Sequence, residues 1–202
     1  MGHYWYAEYL TAMGRTQEAL ERVELSRKLD LLNPAINASV GMIRYLAHDF
    51  DGALKCLRQG IEIDPTHYVS YLRLGLVCLQ KNLKDDAIDA MRQAVKHSNG
   101  STESLAALAQ AHAVIGNQRA FHTTMAELTE SDRYVSPYNV ARVYAAINEK
   151  PKAFEWLERA YGEHNPDLIE LTREPSFAGL HSDTRFRQLV IRIGWPKESS
   201  ND

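Results

Sequence analysis

Apolar and small residues return along this chain on a long, regular ruler. In GRTQEALERVELS, FDGALKCLRQGIEIDP and LKDDAIDAMRQAVKHS an apolar position recurs every three or four residues, the spacing of an amphipathic helix. Each stretch carries an alanine at the same phase: Ala19, Ala53 and Ala87. Ala120 in GNQRAFHTTMAEL and Ala153 in EKPKAFEWLERA extend the series, at intervals of 34, 34, 33 and 33 residues. Upstream of each alanine stands a large residue followed by a small one: Tyr6-Ala7, Val40-Gly41, Leu74-Gly75, Leu108-Ala109 and Val140-Ala141. A small residue at fixed phase lets a second helix approach closely, while its large neighbour fills the seam. The pattern predicts five helical hairpins, hence ten helices of about 12 to 15 residues each.

Turn residues fall where this scheme needs them. Gly14-Arg15, Asp49-Phe50-Asp51-Gly52, Lys81-Asn82-Leu83, Gly116-Asn117 and Asn148-Glu149-Lys150-Pro151 lie inside the hairpins. Asn33-Pro34, Asp64-Pro65, Ser98-Asn99-Gly100-Ser101, Ser136-Pro137 and Asn165-Pro166 separate one hairpin from the next. They suit helix starts, with Pro near the first turn and Ser, Asn or Asp as caps. The fourth unit reads as one residue short in its intra-hairpin turn.

After Pro166 the ruler stops. Residues 167–196 hold a short helical stretch, a Pro-containing connection, and an amphipathic segment in which Phe186, Leu189, Val190 and Ile193 share a face. A helical stack needs an end piece over its last apolar face. Asp183 to Ile193 is predicted to be that capping helix, and 197–202 a disordered tail.

The 34-residue period and the residues that recur on it resemble the tetratricopeptide repeat (TPR). In the third unit Tyr71, Leu74-Gly75, Cys78, Ala87, Met91 and Ala94 occupy the places of the pattern W-x2-L-G-x2-Y…A-x3-F, with Tyr for Trp, Cys for Tyr and Met for Phe. The second unit ends on Pro65, as the pattern does. The resemblance implies an all-α fold: a right-handed α-solenoid of five TPR hairpins over 3–166, with units 3–33, 34–67, 68–101, 102–133 and 134–166, followed by a C-terminal cap. A narrower likeness rests on Tyr134-Val135-Ser136-Pro137-Tyr138, Ala153-Phe154-Glu155-Trp156-Leu157 and Ser182-Asp183-Thr184-Arg185-Phe186. These are similar to the C-terminal TPR region of large bacterial proteins whose N-terminal part is a winged-helix regulator, a Ser/Thr kinase or an adenylate cyclase-like domain, although Thr184 stands where those have Pro. That likeness implies a piece of a larger bacterial signalling or regulatory protein.

Composition narrows the chemistry. The formal net charge of −3 and a pI near 6.2 provide no basic field to draw the chain onto phosphates or anionic lipid. No segment reaches about 18 uninterrupted apolar residues. Nucleic acid and direct membrane contact are therefore not expected, and a cytoplasmic location is, with an extracytoplasmic one open if the parent protein is membrane-anchored. Cys56 and Cys78 are the only cysteines and form no C-x-x-C, which favours buried free thiols over a disulfide or zinc site. Among eight histidines there is no H-E-x-x-H, and the chain has no G-x-S-x-G, no phosphate-cradling Gly-rich loop and no EF-hand spacing. No enzyme activity, metal or cofactor is expected.

What remains is a surface. The concave side of such a stack is lined by the first helix of each unit. Phase places Tyr4, Glu8, Met42, Tyr45, Leu72, Leu76, Leu79, Gln110, Tyr138, Asn139 and Arg142 there as candidate partner-binding residues. Met42, Tyr45, Leu72, Leu76 and Leu79 form an apolar strip suited to a partner helix or an extended peptide. Two readings of it stay open: a free groove, or a surface covered by adjacent helices or by another segment of the parent protein. Tyr138 and Arg142, with Asn139 beside them, suit a carboxylate. Glu8, Met42 and Leu76 replace the Lys, Asn and Arg with which some TPR domains hold acidic chaperone tails, so that activity is not expected. The chain reads as a non-catalytic module that binds a protein or peptide. The alternative is a self-assembling scaffold, a homodimer for example, joined through Tyr4, Trp5 and Tyr9 at its aromatic N-terminal end.

Overall fold

The computed structural model describes residues 6–7, 9–11 and 13–194, and all regular structure among them is helical. Helical residues at 6–7 and 9–11 precede α1 (Thr16–Leu29), α2 (Pro34–Leu46), α3 (Phe50–Ile63), α4 (Tyr68–Gln80), α5 (Lys84–His97), α6 (Thr102–Ile115), α7 (Gln118–Thr129), α8 (Pro137–Ala146) and α9 (Lys150–Gly162). Two short 3-10 turns, Pro166–Glu170 and Pro175–Leu180, lead into α10 (Thr184–Ile193). Each hairpin packs its two helices together, α2 on α3, α4 on α5, α6 on α7 and α8 on α9. The first helices also pack side by side, α2 on α4, α4 on α6 and α6 on α8. The result is an α-solenoid whose inner row is α2, α4, α6 and α8.

The turns inside the hairpins share one device. The chain reverses through a left-handed residue at Gly14, His48, Asn82, Gly116 and Asn148, with φ of 75°, 60°, 56°, 87° and 61°. Their intervals are 34, 34, 34 and 32, so the backbone itself keeps the ruler. Two of the positions are Gly and two are Asn, the residues that tolerate this conformation best. Caps follow sequence chemistry in part. Asn33 accepts hydrogen bonds from Ala35 N and Ile36 N, Ser101 from Ser104 N and Asn117 from Ala120 N. Ser136 does not cap α8: its hydroxyl accepts instead from Asn165 Nδ2 at 3.0 Å, tying the start of the last hairpin to its end. Asp64-Pro65 builds a turn, with Asp64 Oδ1 accepting from Thr66 N, and α4 starts later.

The seams between paired helices are close-packed. Ala19, Ala53, Ala87 and Ala153 are fully buried, and a methyl group built on Gly75 would lie 2.5 Å from Met91 Cγ. Gly41 stands against Leu57 in the same way, at 2.6 Å from its Cγ. The fourth unit corrects the sequence register. Ala120 is only half-buried, and the seam is made by Phe121, Thr124, Met125 and Leu128. The seam position thus stays on a 34-residue step from Ala87 to Phe121. The shortening falls instead in α8, which has 10 residues where α2 and α4 have 13 and α6 has 14.

At the C-terminal end, α10 lays Phe186 and Leu189 into a core with Phe154, Leu157, Ala160, Leu168 and Leu171. Asp183 caps it by accepting from Arg185 N, and the Arg185 guanidinium stands 4.1 Å from the Phe154 ring centre. This is the expected capping helix. The Pro-containing connection before it does something different.

Candidate functional site

The inner helices do not line an open trough. Tyr45 and Tyr138 are 1% exposed, Leu76 2% and Arg142 4%; Met42, Leu72, Gln110 and Asn139 are also buried, and Leu79 is half-buried. Two separate causes produce this. Met42, Tyr45, Leu72 and Leu76 share one core with Ala107 and Ala111, because α2, α4 and α6 pack flank to flank. The phase that aims these side chains inward also aims them at the neighbouring inner helix. Of the two readings left open for the strip, its middle takes the one in which adjacent helices cover it: it is an inter-repeat seam. Of the other candidates, Tyr4, Glu8 and Trp5 lie outside the described residues, and Tyr9 is half-exposed, its ring stacked on Tyr6 with centroids 6.3 Å apart.

The second cause is the chain's own connection. The segment from Arg173 to Leu180 enters the concave side and packs along α8. Glu174, 1% exposed, accepts a hydrogen bond from Tyr45 Oη at 2.6 Å on α2 and another from Ser176 N at 3.0 Å. Gln110 on α6 donates through Nε2 to Ser176 Oγ at 2.9 Å. Phe177 is fully buried and meets the Tyr138 ring of α8 edge-on, with centroids 5.3 Å apart. A continuous stretch of four residues, Glu174-Pro175-Ser176-Phe177, is thus read by side chains from three inner helices.

The electrostatics of this contact are uneven. Burial raises the Tyr45 hydroxyl well above its usual pKa, and the Glu174 charge adds to the effect, so Tyr45 acts as a neutral donor. Burial likewise raises Tyr138, reinforced by Glu170 and Glu174. Burial by itself would lower Arg142; the charge of Glu174, followed by Tyr45 and Tyr138, turns the net effect upward and keeps the guanidinium charged. Yet Arg142 Nε and Nη2, Glu174 Oε2, Gln110 Oε1 and the Tyr138 hydroxyl are buried without hydrogen-bond partners among the described residues. Buried polar atoms are nearly always paired, and an unmet one costs about 1–3 kcal/mol. The groove is filled in shape but only partly satisfied in polarity.

Glu174, Ser176 and Phe177 were not among the residues singled out by the sequence. The available signal was faint: a Phe and a Leu in a Pro-containing connection that has no helical period to explain them. Outside the groove, Cys56 and Cys78 are buried free thiols, and burial pushes Cys78 up to about 11, with the Asp86 charge adding to it. No three His, Cys, Asp or Glu side chains among the described residues group in a way that fits a metal ion, and no described helix is long and apolar enough to cross a membrane. Apolar exposure concentrates at the N-terminal end, where Tyr6, Tyr9, Leu25, Leu29, Leu31 and Leu32 are solvent-accessible.

An α-solenoid of 34-residue hairpins is similar to the fold of TPR proteins, and comparison with known proteins agrees at that level. Residues 68–97, the third hairpin, match the family model described as tetratricopeptide repeat. Over 74 residues the chain is 26% identical to the peroxisomal targeting signal receptor of Saccharomyces cerevisiae; the match covers 37% of this chain and 12% of that protein. Among solved structures it is similar to a thermophilic TPR protein of Thermus thermophilus, with a TM-score of 0.65 and 16% identity, covering 87% of this chain and 97% of that one. It is also similar to YrrB, described as a TPR protein with an unusual peptide-binding site, with a TM-score of 0.52 and 19% identity over 85% of this chain and 90% of that one. At these identities the structural likeness is one of fold.

Proposed function

We propose that this chain is a non-catalytic protein-interaction module whose concave groove holds a peptide or helical segment of a partner. The observation that carries the reading is the seat of Glu174–Phe177, the start of the 3-10 turn Pro175–Leu180, gripped by Tyr45, Gln110 and Tyr138 from α2, α6 and α8. Side chains on stacked rigid helices, offering one hydroxyl, one amide and one ring to three residues of a short peptide, form a peptide-reading surface. The description of YrrB as carrying a peptide-binding site supports it at the level of fold. A bacterial signalling or regulatory protein is the setting we favour, from the likeness of residues 134–186 noted above, with the module in the cytoplasm and away from nucleic acid and membrane.

The full chain carrying Phe177→Ala, which weakens the resident segment, tests this on an array of short peptides. Capture of at least one peptide, lost when Tyr138→Ala is added, is expected. A folded Phe177→Ala chain that captures none removes the groove as a peptide site.

A second reading has its own observation. The exposed Tyr6, Tyr9, Leu25, Leu29, Leu31 and Leu32 put an apolar surface at the end where Tyr4, Trp5 and Tyr9 are the candidate contacts for self-assembly. Under this reading Leu29→Asp with Leu32→Asp lowers the mass seen by light scattering at high concentration; a wild-type chain that is already monomeric there ends it.

A further inference from the structure

We infer that the groove recognises a specific chemistry, an acidic residue followed by proline, a small hydroxyl residue and an aromatic ring, and that Glu174-Pro175-Ser176-Phe177 is a displaceable internal stand-in for a partner peptide of that kind. The inference rests on the groove reading above and adds the identity of the ligand.

Three features of the contact lead there. First, three of the four residues meet a dedicated group, and Pro175 opens the 3-10 turn that presents them: the carboxylate of Glu174 meets Tyr45 Oη, the hydroxyl of Ser176 meets Gln110 Nε2, and the ring of Phe177 meets Tyr138. Second, Arg142 is buried and its pKa is raised by the charge of Glu174, yet Glu174 Oε2 and Arg142 Nε and Nη2 have no hydrogen-bond partner among the described residues. A charge-assisted guanidinium–carboxylate bond is among the strongest available to a protein, and here its parts are present but unjoined. Third, the stretch is held at both ends, by α9 through the turn Pro166–Glu170 and by α10 through a few residues after Leu180. Tethering restricts its register, and in that register Phe177 meets Tyr138 while Glu174 and Arg142 share no hydrogen bond. A peptide free at both ends has no such constraint and can make both contacts.

The tether also explains how a less satisfied occupant keeps the groove. A linked segment acts at an effective concentration in the millimolar range. A partner must therefore bind tightly, or arrive when α10 has loosened. Because Phe186 and Leu189 of α10 share one core with Phe177 and Tyr138, displacing the segment disturbs the seat of the cap.

Fluorescence anisotropy with a labelled peptide of sequence ELTREPSFAGL, copied from Glu170–Leu180, tests this on the full chain. With Phe177→Ala in the protein we expect saturable binding at least about 10-fold tighter than to the wild-type chain, where the resident segment competes. Replacing the peptide's Phe by Ala is expected to weaken binding about 100-fold, and replacing the Glu at the place of Glu174 by Gln about 10-fold. Arg142→Met in the protein is expected to erase the difference between the Glu and Gln peptides. Should Phe177→Ala not fold, Glu174→Gln serves as the opened variant. Equal binding of the native, Gln and Ala peptides overturns the assigned chemistry while leaving the groove as a general peptide site. Equal affinity of wild-type and opened chains overturns the stand-in. A concentration-dependent dimer of the wild-type chain that Phe177→Ala dissolves assigns the groove to a second copy, against a foreign partner.

Discussion

Two regions of this molecule are equally buried and differently built. In the hairpin seams, small residues stand against large apolar ones: Ala87 against the Gly75 helix, Gly75 against Met91, Gly41 against Leu57. In the groove, burial is achieved by a segment that brings a carboxylate, a hydroxyl and a ring to Tyr45, Gln110, Tyr138 and Arg142, and leaves several of their polar atoms unpaired. Lack of solvent exposure alone does not separate a wall from a closed binding surface. The state of the polar atoms does, because an apolar seam has nothing more to gain, whereas an unpaired guanidinium does.

The sharpest way to break this contrast is Leu76→Glu. A free groove position would accept a carboxylate with little loss of stability. A seam shared by α2, α4 and α6 would not, and we expect a loss of about 3 kcal/mol or more in denaturant unfolding, from an unpaired buried charge. An unchanged midpoint returns the strip to the groove. Next in size, Ala87→Leu overpacks the α4–α5 seam and is expected to cost about 1–3 kcal/mol. A neutral result would put Ala87 at the surface and the helical register in error.

Phe177→Ala should behave unlike either. Truncating a core Phe costs about 3–5 kcal/mol when the site cannot rearrange. If the segment docks and undocks locally, the loss of global stability is bounded by the docking free energy, so we expect about 1–2 kcal/mol. Cleavage within 170–180 by a dilute protease should rise at least about tenfold under the same conditions. A full core-sized loss with no gain in cleavage makes the segment part of the wall. The smallest effect concerns the cap. The hydrogen bonds from Arg185 to Asp183 hold its carboxyl down at about 2, below the ordinary 3.8. A lowered folded pKa contributes stability that is complete above 3.8 and is lost as pH falls toward about 2. Trp156, packed beside the α9–α10 core, should report this by fluorescence as α10 loosens in acid, and Asp183→Asn should flatten that part of the profile.

Most of the fold was legible in the residues themselves. A 34-residue repeat of small and large positions, with Gly or Asn at most of the reversals, leaves few ways to stack helices, and the hairpins form where that pattern places them. The register of the fourth unit was not legible, because Ala120 imitates the ruler while Phe121 occupies it. That Phe121 takes the seam is visible only from its burial beside a half-buried Ala120. The candidate site was legible in halves. Phase placed Tyr45, Gln110, Tyr138 and Arg142 on the inner row, but the flank of an inner helix faces both the concave space and the next repeat, and phase alone does not divide the two.

By itself, then, the sequence determined the repeat, the helical hairpins, the small-residue seams and the amphipathic end helix, because each follows from contacts between residues close along the chain or one period apart. Only the tertiary structure decided that the concave side is closed by Glu174-Pro175-Ser176-Phe177. Tyr45 and Glu174 are 129 positions apart, and no local pattern encodes their meeting. It arises because the inner helices stack side by side, so that a segment packed along α8 also reaches Gln110 on α6 and Tyr45 on α2.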